Sequence, residues 1–377
     1  MKPRHYLDHN ATTPLRPAAR AAWLAALEHV GNPSSIHAEG RAARAVLAQA
    51  RAAVAASVGA APAAIIFTSG ATEALALALR PHWRRKDCAP RRLLLAAVEH
   101  PAALEGHDFA TVAHLPVDGA GLLDLDALER ALRDGPPAMV AVQAANNETG
   151  VLQPIAAIAE RVRAADGVLV CDAAQALGRI PCDFATTGAD MLVLSAHKLG
   201  GPKGAGALAL ADGALHCDRP LLRGGGQEGR ARAGTENGPA IAGFGAAVAA
   251  LDAREPARLA GLRDAFVAGL TALAPDAVVF GATAPRLPNT VCFAIPHAPA
   301  ETLLMALDLE GVALSSGAAC SSGKVKASHV LAAMGVPAAE AAGALRVSLG
   351  WNSTPEDVAA ALGALDVTIT RLLRRRA

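Results

Sequence analysis

The chain has 377 residues, 52% of them hydrophobic but only 3% aromatic, which is long enough for two hydrophobic cores built mainly from Ala, Val and Leu. Its 35 Lys and Arg against 34 Asp and Glu leave a formal net charge of +1, which argues against nucleic acid as the main partner. No apolar stretch approaches membrane-spanning length, the N-terminus lacks an apolar signal core, and the 6 cysteines contain no C-x-x-C pair, so a soluble cytoplasmic protein without disulfides or zinc is expected.

In chain order, strand-like runs at 64–67, 93–98, 138–142, 168–171, 191–194 and 207–210 alternate with helical patterns such as 125–133 and 155–165. That alternation predicts an α/β fold with a largely parallel sheet. The basic run Arg84-Arg85-Lys86 with Arg91-Arg92 reads as a solvated turn, and Cys171 and Cys292, inside Val/Leu/Ile-rich runs, read as inert core thiols. After an apolar helix near 241–251, the charged stretch Asp252-Ala253-Arg254-Glu255-Pro256 marks a boundary. Beyond it the pattern restarts with a helix at 258–273, strands at 277–280 and 290–295, a helix at 300–309 and a strand at 345–349. A final helix opens with Thr354 as N-cap and Pro355 at its first position, completing a smaller α+β unit.

Several polar groups fall where these strands end, which is where an open parallel sheet places its ligands. The run 190–204 delivers Ser195, His197 and Lys198 into a Gly/Pro-punctuated turn. A lysine there is either a solvated surface group or an amine able to form a Schiff base with an aldehyde. Thr68-Ser69-Gly70-Ala71-Thr72-Glu73 leads from a strand into a helix, and is either an ordinary capped start or an anion cradle of backbone amides. The glycines of Arg223-Gly224-Gly225-Gly226 supply flexibility, or room for a ligand or a neighbouring subunit. Asp172, with Gln175 three residues on, caps a turn or keeps a ring nitrogen protonated. Asn146-Asn147-Glu148-Thr149-Gly150 and Val98-Glu99-His100-Pro101 end two more strands, with His100 placed to lie flat on an aromatic group.

The blocks Tyr6-Leu7-Asp8-His9-Asn10-Ala11-Thr12-Thr13-Pro14, Gly31-Asn32-Pro33-Ser34-Ser35 with His37, residues 68–73, 146–150 and 195–198, and Ser315-Ser316-Gly317-Ala318-Ala319-Cys320-Ser321-Ser322 stand in one order along nearly the whole chain. With them the sequence resembles the NifS/IscS-type cysteine desulfurases, pyridoxal-phosphate enzymes of the aminotransferase class V group. The resemblance implies the fold type I of pyridoxal-phosphate-dependent transferases. In that fold a large domain over 15–255 carries a mostly parallel seven-stranded sheet, and a small domain combines 1–14 with 256–377. It further implies that Lys198 carries the cofactor as a Schiff base and that Asp172 pairs with the pyridine nitrogen. Gln175 is implied at the ring hydroxyl, Asn147 at the cofactor face or substrate, and His100 stacked on the ring. Ala71, Thr72, Ser195 and His197 are implied to hold the phosphate, joined by Thr235 from the partner of a homodimer. Arg346 is the implied clamp for the substrate carboxylate, a task suited to a guanidinium fork.

Cys320 lies among small residues that bury little apolar surface, so its thiol is expected to be exposed and mobile. Beside a cofactor site it is the candidate nucleophile, attacking the sulfur of L-cysteine to give a persulfide and L-alanine. No metal is expected for catalysis, although Cys320 is a candidate transient ligand of an iron-sulfur cluster. Ala318 stands where the family commonly has serine, and the chain ends soon after its final helix, where some relatives carry a tail that docks a scaffold. That leaves the sulfur acceptor open between an iron-sulfur scaffold, nitrogenase maturation and tRNA thiolation. The competing readings are another class V enzyme, a selenocysteine lyase or an aminotransferase, from which Cys320 discriminates, and a non-catalytic sulfur-relay protein.

Overall fold

The structure is a computed structural model that describes residues 3–85, 89–316 and 327–374. Its centre is a seven-stranded sheet made of β1 (Ile65–Thr68), β2 (Arg92–Ala96), β3 (Val112–Leu115), β4 (Ala138–Gln143), β5 (Val168–Asp172), β6 (Met191–Ser195) and β7 (Gly206–Leu210). The spatial order is β1-β7-β6-β5-β4-β2-β3. All pairs are parallel except those β7 makes with β1 and β6. The sheet is buried on both faces, and alternate residues supply two separate cores. Leu94, Val140 and Val142 join one, while Leu93, Leu95, Met139 and Ala141 join the other.

Around the sheet run α1 (Pro17–Leu27), α2 (Ala38–Ser57), α3 (Ala71–Ala78), α4 (Leu125–Arg133), α5 (Ile155–Ala164) and α6 (Gly238–Ala249), with α1 and α2 both packed on α6. Then come α7 (Glu255–Leu273), α8 (Ala300–Leu309) and α9 (Pro355–Arg374). These three accompany a second sheet of β8 (Val278–Val279), β9 (Thr290–Ala294), β10 (Ser315–Ser316) and β11 (Leu345–Ser348), in the order β8-β9-β11-β10. A third apolar cluster, with Phe266, Phe293, Leu303, Val347 and Leu365, lies between that sheet and its helices.

The N-terminal segment ties the two sheets together. His5–Tyr6 pairs in parallel with Val312–Ala313, Asp8 bridges to Ser348, and Thr13 N donates to the carbonyl of His197 at 3.0 Å.

Some sequence expectations are corrected. Trp83–Arg85 is a strand, not a turn. It pairs antiparallel with Leu215–Cys217, and Arg84 and Arg85 form ion pairs with Asp218 and Asp190. Its arginines are therefore fixed by carboxylates and not simply solvated, and Lys86 lies outside the described residues. The helix expected from 258 begins at Glu255, because Pro256 fits the first turn of a helix and the Asp252 carboxylate accepts from Arg254 N at 2.9 Å. The strand expected over 277–280 is reduced to Val278–Val279. Thr354 does precede the last helix, but the cap runs the other way, with its N–H donating to Asp357 Oδ2 at 2.9 Å. Cys171 and Cys292 are buried core thiols, as expected.

Candidate active site

A cavity of about 690 Å³ opens where the strands of the large sheet end, and Arg346 and Ser315 of the small sheet complete its wall. That volume suits a cofactor-sized ligand. Of the residues singled out above, it brings together Ala71, Thr72, His100, Asn147, Asp172, Gln175, Ser195, His197, Lys198 and Arg346.

Lys198 ends a short 3₁₀ turn after β6, and its Nζ donates to the carbonyls of Asn10 at 2.6 Å and Ala11 at 2.9 Å. Burial pushes its pKa down to about 8, helped by the cations Arg346 and Arg179 and opposed by Asp172 and Asp8. An amine so placed is partly unprotonated near neutral pH, the state a nucleophile or base requires.

Asp172 is the last residue of β5, is buried, and accepts from Ala174 N through Oδ1 at 2.9 Å. Burial lifts its pKa to about 6 against the pull of that hydrogen bond and of Lys198. Such a carboxylate gains from a cation brought next to it. Gln175 donates from Nε2 to the Asn10 carbonyl at 2.9 Å and accepts from Arg179 through Oε1.

Gly70 precedes α3 with no side chain capping it, so the first amides of the helix have no side-chain acceptor of their own. The turn lies hard against β7. A Cβ on Gly206 would come within 2.6 Å of the Gly70 backbone, so only glycine permits that approach. His197 contacts Thr12 Oγ1 through Nδ1 at 3.2 Å, and burial, with Lys198 and Lys203 adding to it, holds its pKa at about 4. It stands in the site as a neutral ring.

His100 follows β2, and its Nδ1 accepts from Ala102 N at 3.1 Å, which assigns the proton to Nε2. Burial, Lys198 and His329 all lower its pKa. Asn147 sits in a turn shaped by Asn146, whose Oδ1 accepts from the N–H groups of Glu148 and Thr149 at 2.9 Å each. The Asn147 carbonyl accepts from Arg346 Nη1 at 3.0 Å and Asn10 Nδ2 at 3.1 Å. Arg346 also donates from Nη2 to Asp8 Oδ1 at 2.6 Å, while its buried Nε has no partner among the described residues.

One of the singled-out residues that the structure describes, Thr235, is not in this cavity. It lines a separate crevice with His29, Gly31 and Pro239. Cys320 lies outside the described residues. On the near side of that segment Ser315 is in the cavity wall. On its far side Ser328 donates to Glu148 Oε2 at 2.6 Å, and the His329 ring meets the Glu99 carbonyl at 2.9 Å. Among the described residues no group of three or more His, Cys, Asp or Glu is placed to hold a metal, and no helix is long and apolar enough to cross a membrane.

The sequence reading missed Asn10 and Arg179. Asn10 stands inside the 6–14 block, quoted only as a mark of resemblance, yet it is 1% exposed and meets Lys198, Gln175, Asn147 and Arg179. Arg179 is buried, donates to Asn10 Oδ1 and to the Lys198 carbonyl, and has its pKa lowered to about 9 by burial and by Arg346.

Residues 5–361 match the family described as Aminotransferase class-V. A protein of Cereibacter sphaeroides named cysteine desulfurase is 43% identical over 98% of this chain and 96% of its own. A protein of Dictyoglomus turgidum named cysteine desulfurase IscS is 40% identical over 99% and 96%. Among solved structures, a NifS-like protein from Rickettsia africae superposes with a TM-score of 0.88 at 31% identity, covering 97% of this chain and 99% of that one. Another solved NifS-like protein gives 0.86 at 33% identity, over 97% and 99%.

Proposed function

The chain belongs to the aminotransferase class-V family, and from that membership together with the cavity we infer that it is a pyridoxal-phosphate-dependent cysteine desulfurase, taking sulfur from L-cysteine and releasing L-alanine. The donor set fits the cofactor. An amine of lowered pKa, a buried carboxylate that a cation would relieve, and an uncapped helix start lined with small residues face one space. Pyridoxal phosphate, when bound, supplies an aldehyde that condenses with amines and a ring that accepts electrons from carbon.

The residues divide the work as follows. Lys198 would hold the cofactor through its aldehyde and, when its amine is free, would take and return the proton at the substrate α-carbon. With the cofactor bound, Asp172 would stabilise positive charge on its ring nitrogen, Gln175 would hydrogen-bond the ring hydroxyl, and His100 and Asn147 would flank the ring. The backbone at Ala71 and Thr72, with Ser195 and His197, receives the phosphate. Arg346 binds the substrate carboxylate through N–H groups not engaged by Asp8 and the Asn147 carbonyl, its buried Nε being one that has no partner among the described residues. The Cys320 thiolate attacks the sulfur of L-cysteine. A sulfur–sulfur bond forms, the carbon–sulfur pair of electrons stays with carbon, and a proton completes L-alanine, leaving a persulfide on Cys320.

The persulfide passes its sulfur to an acceptor protein, an iron-sulfur scaffold in this reading, and the enzyme works in the cytoplasm. The four described cysteines, all free thiols, support that location. Two copies act together, with Thr235 of each serving the other's phosphate site, a role supported by its place in a crevice separate from its own chain's cavity. A cofactor-holding unit of 15–255 and a second unit of 1–14 with 256–377 are supported by the separate apolar cluster under the small sheet.

The observation that carries the reading is the joint presence of Lys198 and Asp172 in one cavity. The test is to supply L-cysteine with a thiol reductant and measure alanine and sulfide together. Equal release is expected from the native protein, alanine and sulfide both lost in Lys198→Ala, and no sulfide from Cys320→Ala. Undiminished sulfide release by Cys320→Ala would remove that residue as nucleophile and favour another class V activity.

A further inference from the structure

One ion pair at the cavity has no part in the chemistry above. Glu73 is the third residue of α3 and stands in the cavity wall with Ser69, Gly70, Ala71 and Thr72. A carboxylate there works against the turn it belongs to, because it adds negative charge beside the amides that face an anion. The repulsion grows as water is excluded.

The structure engages both of its oxygens. Oε2 accepts from Ser69 N at 2.9 Å, and Oε1 accepts from Arg232 Nε at 2.8 Å, with Arg232 Nη2 a further 3.4 Å from Oε2. The two side chains are only 14% and 23% exposed, so the pair is weakly screened. Burial pushes the Glu73 carboxyl up, but the hydrogen bonds from Arg232 and Ser69 outweigh it and leave the group below its ordinary range, hence charged. The bond to Glu73 correspondingly raises Arg232. Glu73 thus occupies the Ser69 amide, while the amides that follow have no side-chain cap.

We propose that Glu73 and Arg232 form a charge-compensated brace that sets the Ser69–Thr72 turn to receive the phosphate of the cofactor, with Arg232 cancelling a charge that would otherwise repel it. Both are positioning residues. The inference rests on the cofactor reading of the cavity, and a binding experiment separates the two.

Cofactor-free protein is titrated with pyridoxal phosphate and, in parallel, with pyridoxal, which keeps the aldehyde and ring but has no phosphate, following the visible absorption of the lysine-bound form. Arg232→Met is expected to weaken pyridoxal phosphate by about tenfold or more and pyridoxal by less than about twofold, because only the phosphate feels the uncovered charge. The double variant Glu73→Gln with Arg232→Met keeps an acceptor for the Ser69 amide but has no charge, and is expected to return to within about threefold of the native affinity. Glu73→Gln alone is expected to bind pyridoxal phosphate at least as tightly as the native protein, which keeps a test in hand should Arg232→Met fail to fold. The brace is overturned if Arg232→Met leaves pyridoxal phosphate affinity unchanged, weakens both ligands alike, or is not rescued in the double variant, or if Glu73→Gln alone binds clearly more weakly. A native protein that develops no absorption with pyridoxal phosphate sinks the cofactor reading instead.

Discussion

At the scale of single residues, the site sets buried charges against one another around one cavity. Burial holds Asp172 near pKa 6 even against the pull of Lys198, and a protonated ring nitrogen beside it would lower it further. Asp172→Asn preserves shape without the charge. It is therefore expected to load cofactor at Lys198 and to lose turnover by at least about a hundredfold, measured as alanine release at saturating cysteine. Arg346 already has two donors engaged, one with Asp8 and one with the Asn147 carbonyl. Arg346→Lys removes the fork but keeps the charge, so the Asp8 pair can persist while the apparent KM for cysteine rises by about tenfold or more, with cofactor absorption unchanged. Lys198 and Asp172 were legible in the sequence because each ends an apolar run of strand length, and a polar residue at such an end has few places to go. Arg179 was not legible, since nothing near it in the chain marks a cation that joins Gln175, four residues earlier, to the distant Asn10 and the Lys198 carbonyl.

At the scale of elements, strand ends and one tight crossing position the groups. Gly206→Ala would drive a methyl into the Gly70 backbone and shift the Ser69–Thr72 turn, which is proposed to receive the phosphate. The expected result is a folded protein with cofactor affinity reduced by about tenfold or more, read in the same absorption titration. The N-terminal segment carries a second such contact, where a Cβ on Gly350 would lie 1.9 Å from His9 Nδ1. His9 is 1% exposed, and burial, then Arg179, bring its pKa down to about 4. A base whose pKa is lowered by folding gives stability that is complete above its unfolded value and is lost as pH falls toward the folded one. Acidification through about pH 6.5 to 4 therefore weakens the cofactor-free fold through His9, and through His197 as well. Asp172, Glu99 and Glu148 act oppositely, because burial raises their pKa values and favours the fold at low pH, so the histidine contribution is read from the difference between variant and native protein. His9→Asn is expected to reduce the stability lost between about pH 7 and about pH 4.5 by about 2 kcal/mol, measured by denaturant unfolding at the two pH values. The strands and the amphipathic α4 were legible from periodicity. The Ala-rich α1 and α2 were not, because their apolar and small residues run nearly all round and give little facial contrast.

At the scale of the whole molecule, the two sheets meet over the cavity, and Asn10 is the joint. Its N–H donates to Ser348 Oγ at 2.9 Å, its amide reaches Asn147 O and Thr290 Oγ1, and its Oδ1 accepts from Arg179 and Asn289. Asn10→Ala leaves several buried partners unmatched and is expected to cost about 3 kcal/mol or more in unfolding free energy, and to loosen cofactor binding with it. The alternation of apolar runs and helical patterns, read along the chain, was enough for the fold class, since burial on both faces of a parallel sheet writes itself into consecutive residues. Motif order was enough for the family and the reaction, because the blocks that bear the chemistry are contiguous in sequence. What the chain alone did not disclose are the contacts between blocks: Lys198 against the carbonyls of residues 10 and 11, Arg346 against Asp8, Glu73 against Arg232. Such pairings join positions from about 160 to about 340 apart. Local propensity carries no record of which distant group will arrive, so only packing in three dimensions chooses the partner, and with it the charge each side chain bears.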